Sequence, residues 1–165
     1  MCGLLGMLAA TGDVDKYVDA LERSLPCMRH RGPDAAGTWH DGDAAFGFNR
    51  LSIIDLEHSH QPLRWGPEDQ PDRYAMTFNG EIYNYVELRE ELKGLGYTFH
   101  TEGDGEPIVV GYHHWGKDVV NHLRGMFGIV IWDTHTKTMF AARDQFGIKP
   151  LYYACLLYTS DAADD

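Results

Sequence analysis

Met1-Cys2-Gly3-Leu4-Leu5-Gly6-Met7-Leu8-Ala9-Ala10 opens the chain, and what this stretch becomes decides how the remainder must fold. The run is apolar, has no basic residues ahead of it and passes at once into Thr11-Gly12-Asp13, which rules out a secretory signal. It is also too short to cross a bilayer. It is predicted to be a buried first strand that holds Cys2 at the edge of a sheet. Removal of Met1 would leave one residue with both a thiol and a free α-amine. An α-amine titrates near about 7.7 to 8.0 and a thiol near about 8.5. Near neutrality the amine can therefore take the thiol's proton, directly or through a water, which is the logic of an N-terminal nucleophile. The alternative is a small apolar residue opening a buried strand.

Working outward, Asp13 is expected to cap a helix on which Val14, Tyr17, Val18, Leu21 and Leu25 recur at helical spacing, ended or kinked by Pro26. Met28-Arg29-His30-Arg31-Gly32-Pro33-Asp34 reads as a turning loop. Strands are predicted at 37–39 and 44–49 around the turn His40-Asp41-Gly42-Asp43, with a short one over Arg50-Leu51-Ser52-Ile53-Ile54-Asp55. The proline-bearing, acidic segment 57–73 is predicted to be a surface loop. Strand 74–78 then leads into Asn79-Gly80-Glu81-Ile82-Tyr83-Asn84, which carries a turn signal. Asn84 can cap a helix that turns Val86, Leu88, Leu92 and Leu95 inward and stops at Gly96. A brief strand at 97–100, a helix starting at Pro107, a short helix at 119–123 and a hairpin of 126–133 with 138–143 complete the series. Hairpins interleaved with a few helices argue for an α+β fold with largely antiparallel sheets.

A chain of 165 residues fits one domain with a core of its own. Apolar residues make up 44% and charged residues 24%, ordinary globular usage, and the 18 glycines suit many tight turns. A net charge of -11 offers no basic footprint for nucleic acid or an anionic membrane. Cys2, Cys27 and Cys155 form no CxxC pair, which suits a reducing cytoplasm. Nine histidines are scattered, and His113-His114 would face different ways on a helix, so no metal centre is expected. Neither GxxxxGK[ST] nor GxGxxG follows a strand, so no nucleotide cofactor is expected in this stretch.

Several residues suit acyl-transfer chemistry. A side-chain amide next to an unhindered glycine N–H, as at Asn79-Gly80, can supply two donors to an oxyanion; the same pair also suits a plain hairpin turn. Arg50 can fork onto a carboxylate, and Glu81 or Asp104 can hold an ammonium; each also has an ordinary surface-ion reading.

Taken together, Met1-Cys2-Gly3, Arg29-His30-Arg31-Gly32-Pro33-Asp34, Arg50-Leu51-Ser52-Ile53-Ile54-Asp55, Asn79-Gly80-Glu81-Ile82-Tyr83-Asn84 and the stretch from Arg143-Asp144 through Gly147-Ile148-Lys149-Pro150-Leu151-Tyr152-Tyr153 resemble the class II glutamine amidotransferase domain of glutamine-hydrolysing asparagine synthetases. The resemblance covers 2–154. It implies a four-layer αββα sandwich of antiparallel sheets, the fold of N-terminal nucleophile hydrolases. It implies hydrolysis of glutamine to glutamate and ammonia through a Cys2 thioester, with Asn79 and the Gly80 N–H at the oxyanion. Arg50, Ile53, Glu81 and Asp104 would bind the substrate, Arg50 on its α-carboxylate and the two acids near its α-ammonium. Arg31 would order the loop beside the nucleophile.

The resemblance further implies a synthetase domain in the same protein, outside the sequence given, which would bind ATP, Mg2+ and aspartate and receive the ammonia; the alternatives are a related amidotransferase with another ammonia acceptor, or a non-catalytic glutamine-binding module. A homodimer and a cytoplasmic location are expected of the whole protein. Two departures stand out. Gly103-Asp104-Gly105-Glu106 replaces a Ser-Asp-Thr-Glu-like stretch. Residues 155–165 do not match the family's continuation and are expected to be a disordered tail foreign to it, a translated sequencing adapter.

Overall fold

The computed structural model describes residues 2–10, 12–51 and 60–155. Among these residues seven strands form two antiparallel sheets. β1 (Gly3–Leu8), β2 (Ala35–His40) and β3 (Ala44–Arg50) make the first, in the order β1-β3-β2. β4 (Leu63–Trp65), β5 (Tyr74–Ile82), β6 (Gly125–Asp133) and β7 (Thr138–Arg143) make the second in sequential order. Three helices, α1 (Asp15–Ser24), α2 (Tyr85–Gly94) and α3 (Glu106–Trp115), lie outside the sheets.

The period-two alternation of the strands sorts the side chains into three cores and so into four layers. On β3, Ala45 meets Val14 and Leu21 at α1, with Met7 of β1 packed against them. Its neighbours Ala44 and Phe46 point the other way and meet Ala75, Val130 and Trp132 of the second sheet, with Leu4 of β1 on the same side. The opposite face of the second sheet buries Met76, Phe78, Ile82, Ile129 and Ile131 against Leu88 and Leu92 of α2 and Ile108 and Val109 of α3. Helix, sheet, sheet, helix is thus the order of layers. The indole of buried Trp132 donates to Asp41 at 2.7 Å, so its polar atom is satisfied inside the stack.

Several local expectations change. Val14, not Asp13, occupies the cap of α1, and Pro26 sits in a 3-10 turn, Leu25–Met28, rather than ending the helix alone. The segment predicted as a loop contains β4, whose Leu63 and Trp65 are buried against β5. On α2, Leu88 and Leu92 face inward, but Val86 and Leu95 are 53% and 51% exposed, and the third buried position is Arg89. Residues 97–100 form no strand. The hairpin turn at Asp41-Gly42 and the β6–β7 hairpin stand as expected, with Gly42 at φ +86°.

After β7 the chain wraps around one carboxylate. Asp144 accepts the main-chain N–H of Phe127 at 3.2 Å, Phe146 at 3.1 Å, Ile148 at 2.9 Å and Lys149 at 2.9 Å. Burial opposes its ionisation, but these donors outweigh it and hold the carboxyl below the usual range. A depressed carboxylate contributes stability that is present above its unfolded value and lost as pH falls through the folded one. Asp144→Ala is therefore expected to lower the unfolding free energy by about 2–4 kcal/mol at neutral pH. In denaturant titrations the gap to the unmutated chain should close as pH drops below about 3.9.

Candidate active site

Cys2 lies immediately before β1, whose register pairs Gly3 with Asn49 at the far end of β3. Its half-buried thiol is fixed there: the N–H of Leu51 donates to Sγ at 3.3 Å, and Sγ lies 3.7 Å from the Leu51 carbonyl oxygen. The Cys2 carbonyl accepts from Nε of Arg31 at 3.2 Å. The loop that carries Arg31 presses against β3, because a Cβ at Gly32 would run into the Asn49 carbonyl oxygen. Beyond it, Asp34 N–H donates to the Arg50 carbonyl at 3.0 Å, and the Asn49 side chain donates to the Leu25 carbonyl at 2.6 Å. Cys2, the 29–34 loop and the end of β3 are therefore one tied unit. Arg50, buried and the last residue of β3, belongs to it. Ile53 lies outside the described residues.

The Asn79-Gly80 pair is not a turn. β5 continues through it to Ile82, pairing Asn79 with Gly128 and Gly80 with Phe127 of β6. Gly80 is there for space and not for a positive φ. A Cβ would collide with the Met126 carbonyl oxygen and crowd Phe127 Cα and the ring of Phe78.

The phase of the ladder decides which way each amide of β5 points. Tyr83 N–H donates to the Arg124 carbonyl at 2.7 Å, so odd positions bond β6 and even positions face the other edge. β4 covers that edge only as far as Met76. Past it, Phe78 has its N–H and carbonyl taken by the side-chain amide of Gln61, at 2.7 and 3.1 Å. Ile82 N–H donates to a carboxylate oxygen of Asp104 at 3.0 Å. Gly80 sits between them, and among the described residues nothing accepts its N–H. Asn79 is buried on the face turned toward the first sheet, and no partner takes its side-chain amide among the described residues.

Asp104 and Glu81 are close enough to act on each other. Burial first, and the Glu81 charge with it, push the Asp104 carboxyl above the usual range, against the lowering effect of the Ile82 N–H. The glycine-flanked loop that carries Asp104 is anchored from both sides. Arg89 donates to the Gly103 carbonyl at 2.8 Å and to Glu102 at 2.6 Å. Buried Glu106 accepts the N–H groups of His100 and Thr101 and the Thr101 hydroxyl at 2.7 to 3.0 Å. Gln61, Arg89 and Glu106 were not among the residues singled out from sequence. Arg89 had a signal there, since it falls beside Leu88 and Leu92 on one helical face, and Glu106 only its place in the 103–106 stretch.

A sulfur held at a strand end, an unspent main-chain N–H with a buried amide beside it, and two neighbouring carboxylates are groups of the kinds that acyl transfer uses. The sequence model described as glutamine amidotransferase domain matches residues 1–163. The chain belongs to the glutamine amidotransferase domain family. This domain is 57% identical over 165 residues to the putative glutamine-hydrolysing asparagine synthetase of Mycobacterium tuberculosis H37Rv, an alignment covering 93% of this chain and 25% of that protein. It is 44% identical over 161 residues to asparagine synthetase 1 of Bacillus subtilis 168, covering 94% of this chain and 24% of that one. The chain thus spans about a quarter of the length of these relatives. The glutamine phosphoribosylpyrophosphate amidotransferase of B. subtilis shares the fold, with a TM-score of 0.68 at 20% identity over 91% of this chain and 38% of that one.

The unequal packing of Asn79 and Gly80 predicts opposite outcomes for adjacent substitutions. Gly80→Ala, which would drive a Cβ into the main chain of β6, should cost about 3 kcal/mol or more. Asn79→Ala should leave the denaturation midpoint nearly unchanged, as read by thermal or urea unfolding.

Proposed function

We propose that this domain hydrolyses free glutamine to glutamate and ammonia, a reading carried by the open Gly80 N–H on the edge of β5. Cys2, with Met1 removed, is the nucleophile, and its own α-amine accepts the thiol proton. Sulfur attacks the side-chain amide carbon of glutamine, and the carbonyl oxygen becomes an oxyanion held by the Gly80 N–H and the Asn79 amide. The tetrahedral adduct collapses as the α-ammonium returns the proton to the leaving nitrogen. Ammonia departs and a glutamyl thioester remains; water then attacks the thioester, releasing glutamate and the thiol.

Arg50 takes the substrate's α-carboxylate, and Asp104 with Glu81 its α-ammonium. Ile53 is assigned to substrate binding on the family resemblance alone, and Arg31 holds the nucleophile's main chain. Two like charges facing one another in a part-buried site favour a substrate that brings a cation.

The resemblance to asparagine synthetases supports an ATP-dependent partner domain in the same protein that passes the ammonia to aspartate. ATP and Mg2+ are assigned to that part; among the described residues no group of three or more His, Cys, Asp or Glu side chains is placed to hold a metal ion. Among the same residues no helix is long and apolar enough to cross a membrane. We assign the whole protein to the cytoplasm, as a homodimer. We assign the domain to 2–154 and residues 155–165 to a tail foreign to it, although the family match runs on to residue 163.

Glutamate and ammonia release from glutamine, measured beside Cys2→Ala with the N-terminal mass taken on both samples, tests the reading. Turnover should vanish in Cys2→Ala, and turnover that survives it would overturn the nucleophile. Asn79→Ala should lower kcat about a hundredfold with KM little changed.

The pH dependence has a defined sign. Only ionised Asp104 holds the ammonium, so kcat/KM should fall on the acid side. Because the carboxyl is pushed up, that fall should begin above the usual aspartate value of about 3.9. Asp104→Asn, which keeps an acceptor for Ile82 N–H, should raise KM and flatten this limb in a pH-rate profile.

A further inference from the structure

We infer that Gln61 is a positioning residue for the oxyanion site, its side-chain amide standing in for a strand so that, among the described residues, Gly80 N–H is the donor left open on the β5 edge beyond β4. The inference rests on the glutaminase reading above and deepens it.

In the register Leu63↔Met76, Arg64↔Ala75, Trp65↔Tyr74, one more pair of even-numbered bonds would place residue 61 opposite Phe78. The main chain does not supply it. At Gln61 the carbonyl instead lies against β2, where a Cβ on Gly37 would strike it. The ladder is nevertheless continued by one rung, because a primary amide carries the same donor and acceptor as a peptide. Gln61 Oε1 accepts Phe78 N–H at 2.7 Å and Gln61 Nε2 donates to the Phe78 carbonyl at 3.1 Å. One residue thus touches the edge of each sheet.

The consequence falls on the next even position. An unpaired donor of an edge strand is open to water and to a neighbouring chain. Without Gln61 there would be two open donors on this stretch, at Phe78 and Gly80, with an acceptor between them, and water bound at Phe78 would compete for the oxygen of the substrate. The strand would also lose the pair of bonds that fixes its plane one residue ahead of the Gly80 amide. Oxyanion stabilisation depends on donors whose direction is set before charge develops. The loss should therefore be felt in the transition state and not in glutamine binding.

The test uses the full chain with Gln61→Leu and Gln61→Glu. For Gln61→Leu, kcat per folded molecule should fall about ten- to a hundredfold while KM for glutamine stays within about twofold. Affinity for glutamate γ-semialdehyde should fall by the same factor as kcat, since its hemithioacetal with Cys2 puts an oxygen where the oxyanion forms. Alkylation of Cys2 by iodoacetamide, which forms no oxyanion, should keep its original rate.

In Gln61→Glu the ionised carboxylate still accepts Phe78 N–H but faces the Phe78 carbonyl without a donor. The protonated form restores both bonds. Its kcat relative to the unmutated chain should be depressed at neutral pH and recover as pH falls. An unchanged kcat in Gln61→Leu, or aldehyde affinity and alkylation falling together, overturns the inference while leaving the glutaminase reading standing. Should Gln61→Leu fail to fold, an absent acid recovery in Gln61→Glu overturns it. An unmutated chain without glutamine hydrolysis overturns the glutaminase reading itself.

Discussion

The site depends on β5 outrunning its neighbour. On one side β5 is paired with β6 over all nine of its residues, from Tyr74 to Ile82, and on the other with β4 over three. That inequality creates an edge inside the domain. A strand edge presents its N–H and carbonyl groups in pairs at every second residue, and a buried group left unpaired costs free energy comparable to a lost hydrogen bond. Three even positions lie beyond β4. Two are closed by side chains, and the one left open is a glycine whose missing side chain lets β6 lie close against it.

The other half of the site is set by the end of β3. Leu51 N–H, the Arg31 guanidinium and the close approach of Gly32 all act within two residues of that end. The Cys2 sulfur thus meets the main chain of Leu51 through both its N–H and its carbonyl, while Arg31 holds the Cys2 carbonyl. Packing of Ala44, Phe46 and Leu4 against Ala75, Val130 and Trp132 holds the two sheets face to face. The strand that carries Cys2 and the strand that carries Gly80 belong to those two sheets.

What was legible in the sequence follows the range of the interactions involved. The apolar opening strand, the Asp41-Gly42 turn and the β6–β7 hairpin are local patterns, and each formed where the pattern put it, although β1 is buried only at Gly3 and not along its length. β4 was missed because three residues between prolines carry no alternation, and only β5 makes them a strand. Asn79-Gly80 has the composition of a turn. A partner strand nearly fifty residues away overrides that preference, as Gly80 paired with Phe127 shows. Cys2, Arg31, Arg50, Asn79, Gly80, Glu81 and Asp104 were singled out by motif, and the described residues gather Cys2, Arg31 and Arg50 at one strand end and the other four along the last turns of β5 and its flank. Gln61 had no local signal at all, and Glu106 only its place in the 103–106 stretch. What each does rests on bonds to groups elsewhere, mostly main chain, which no periodicity or propensity encodes.

The two side chains that close the β5 edge differ in kind, and the difference matches what each position must do. At Phe78 both a donor and an acceptor need partners, and a neutral amide has one of each. At Ile82 Asp104 meets only the donor, through one carboxylate oxygen, which leaves the other oxygen and the negative charge uncommitted to the strand. An amide there would satisfy the strand equally well but would bring no charge. A carboxylate at position 61 would repel the Phe78 carbonyl. Burial and the neighbouring Glu81 make the ionised form of Asp104 less favourable than in water, a cost that a cation brought beside it would offset. The edge therefore places a neutral plug on one side of Gly80 and a charged one on the other; in the proposed glutaminase this separates the group that would aim the oxyanion donor from the group that would recognise the amino-acid end.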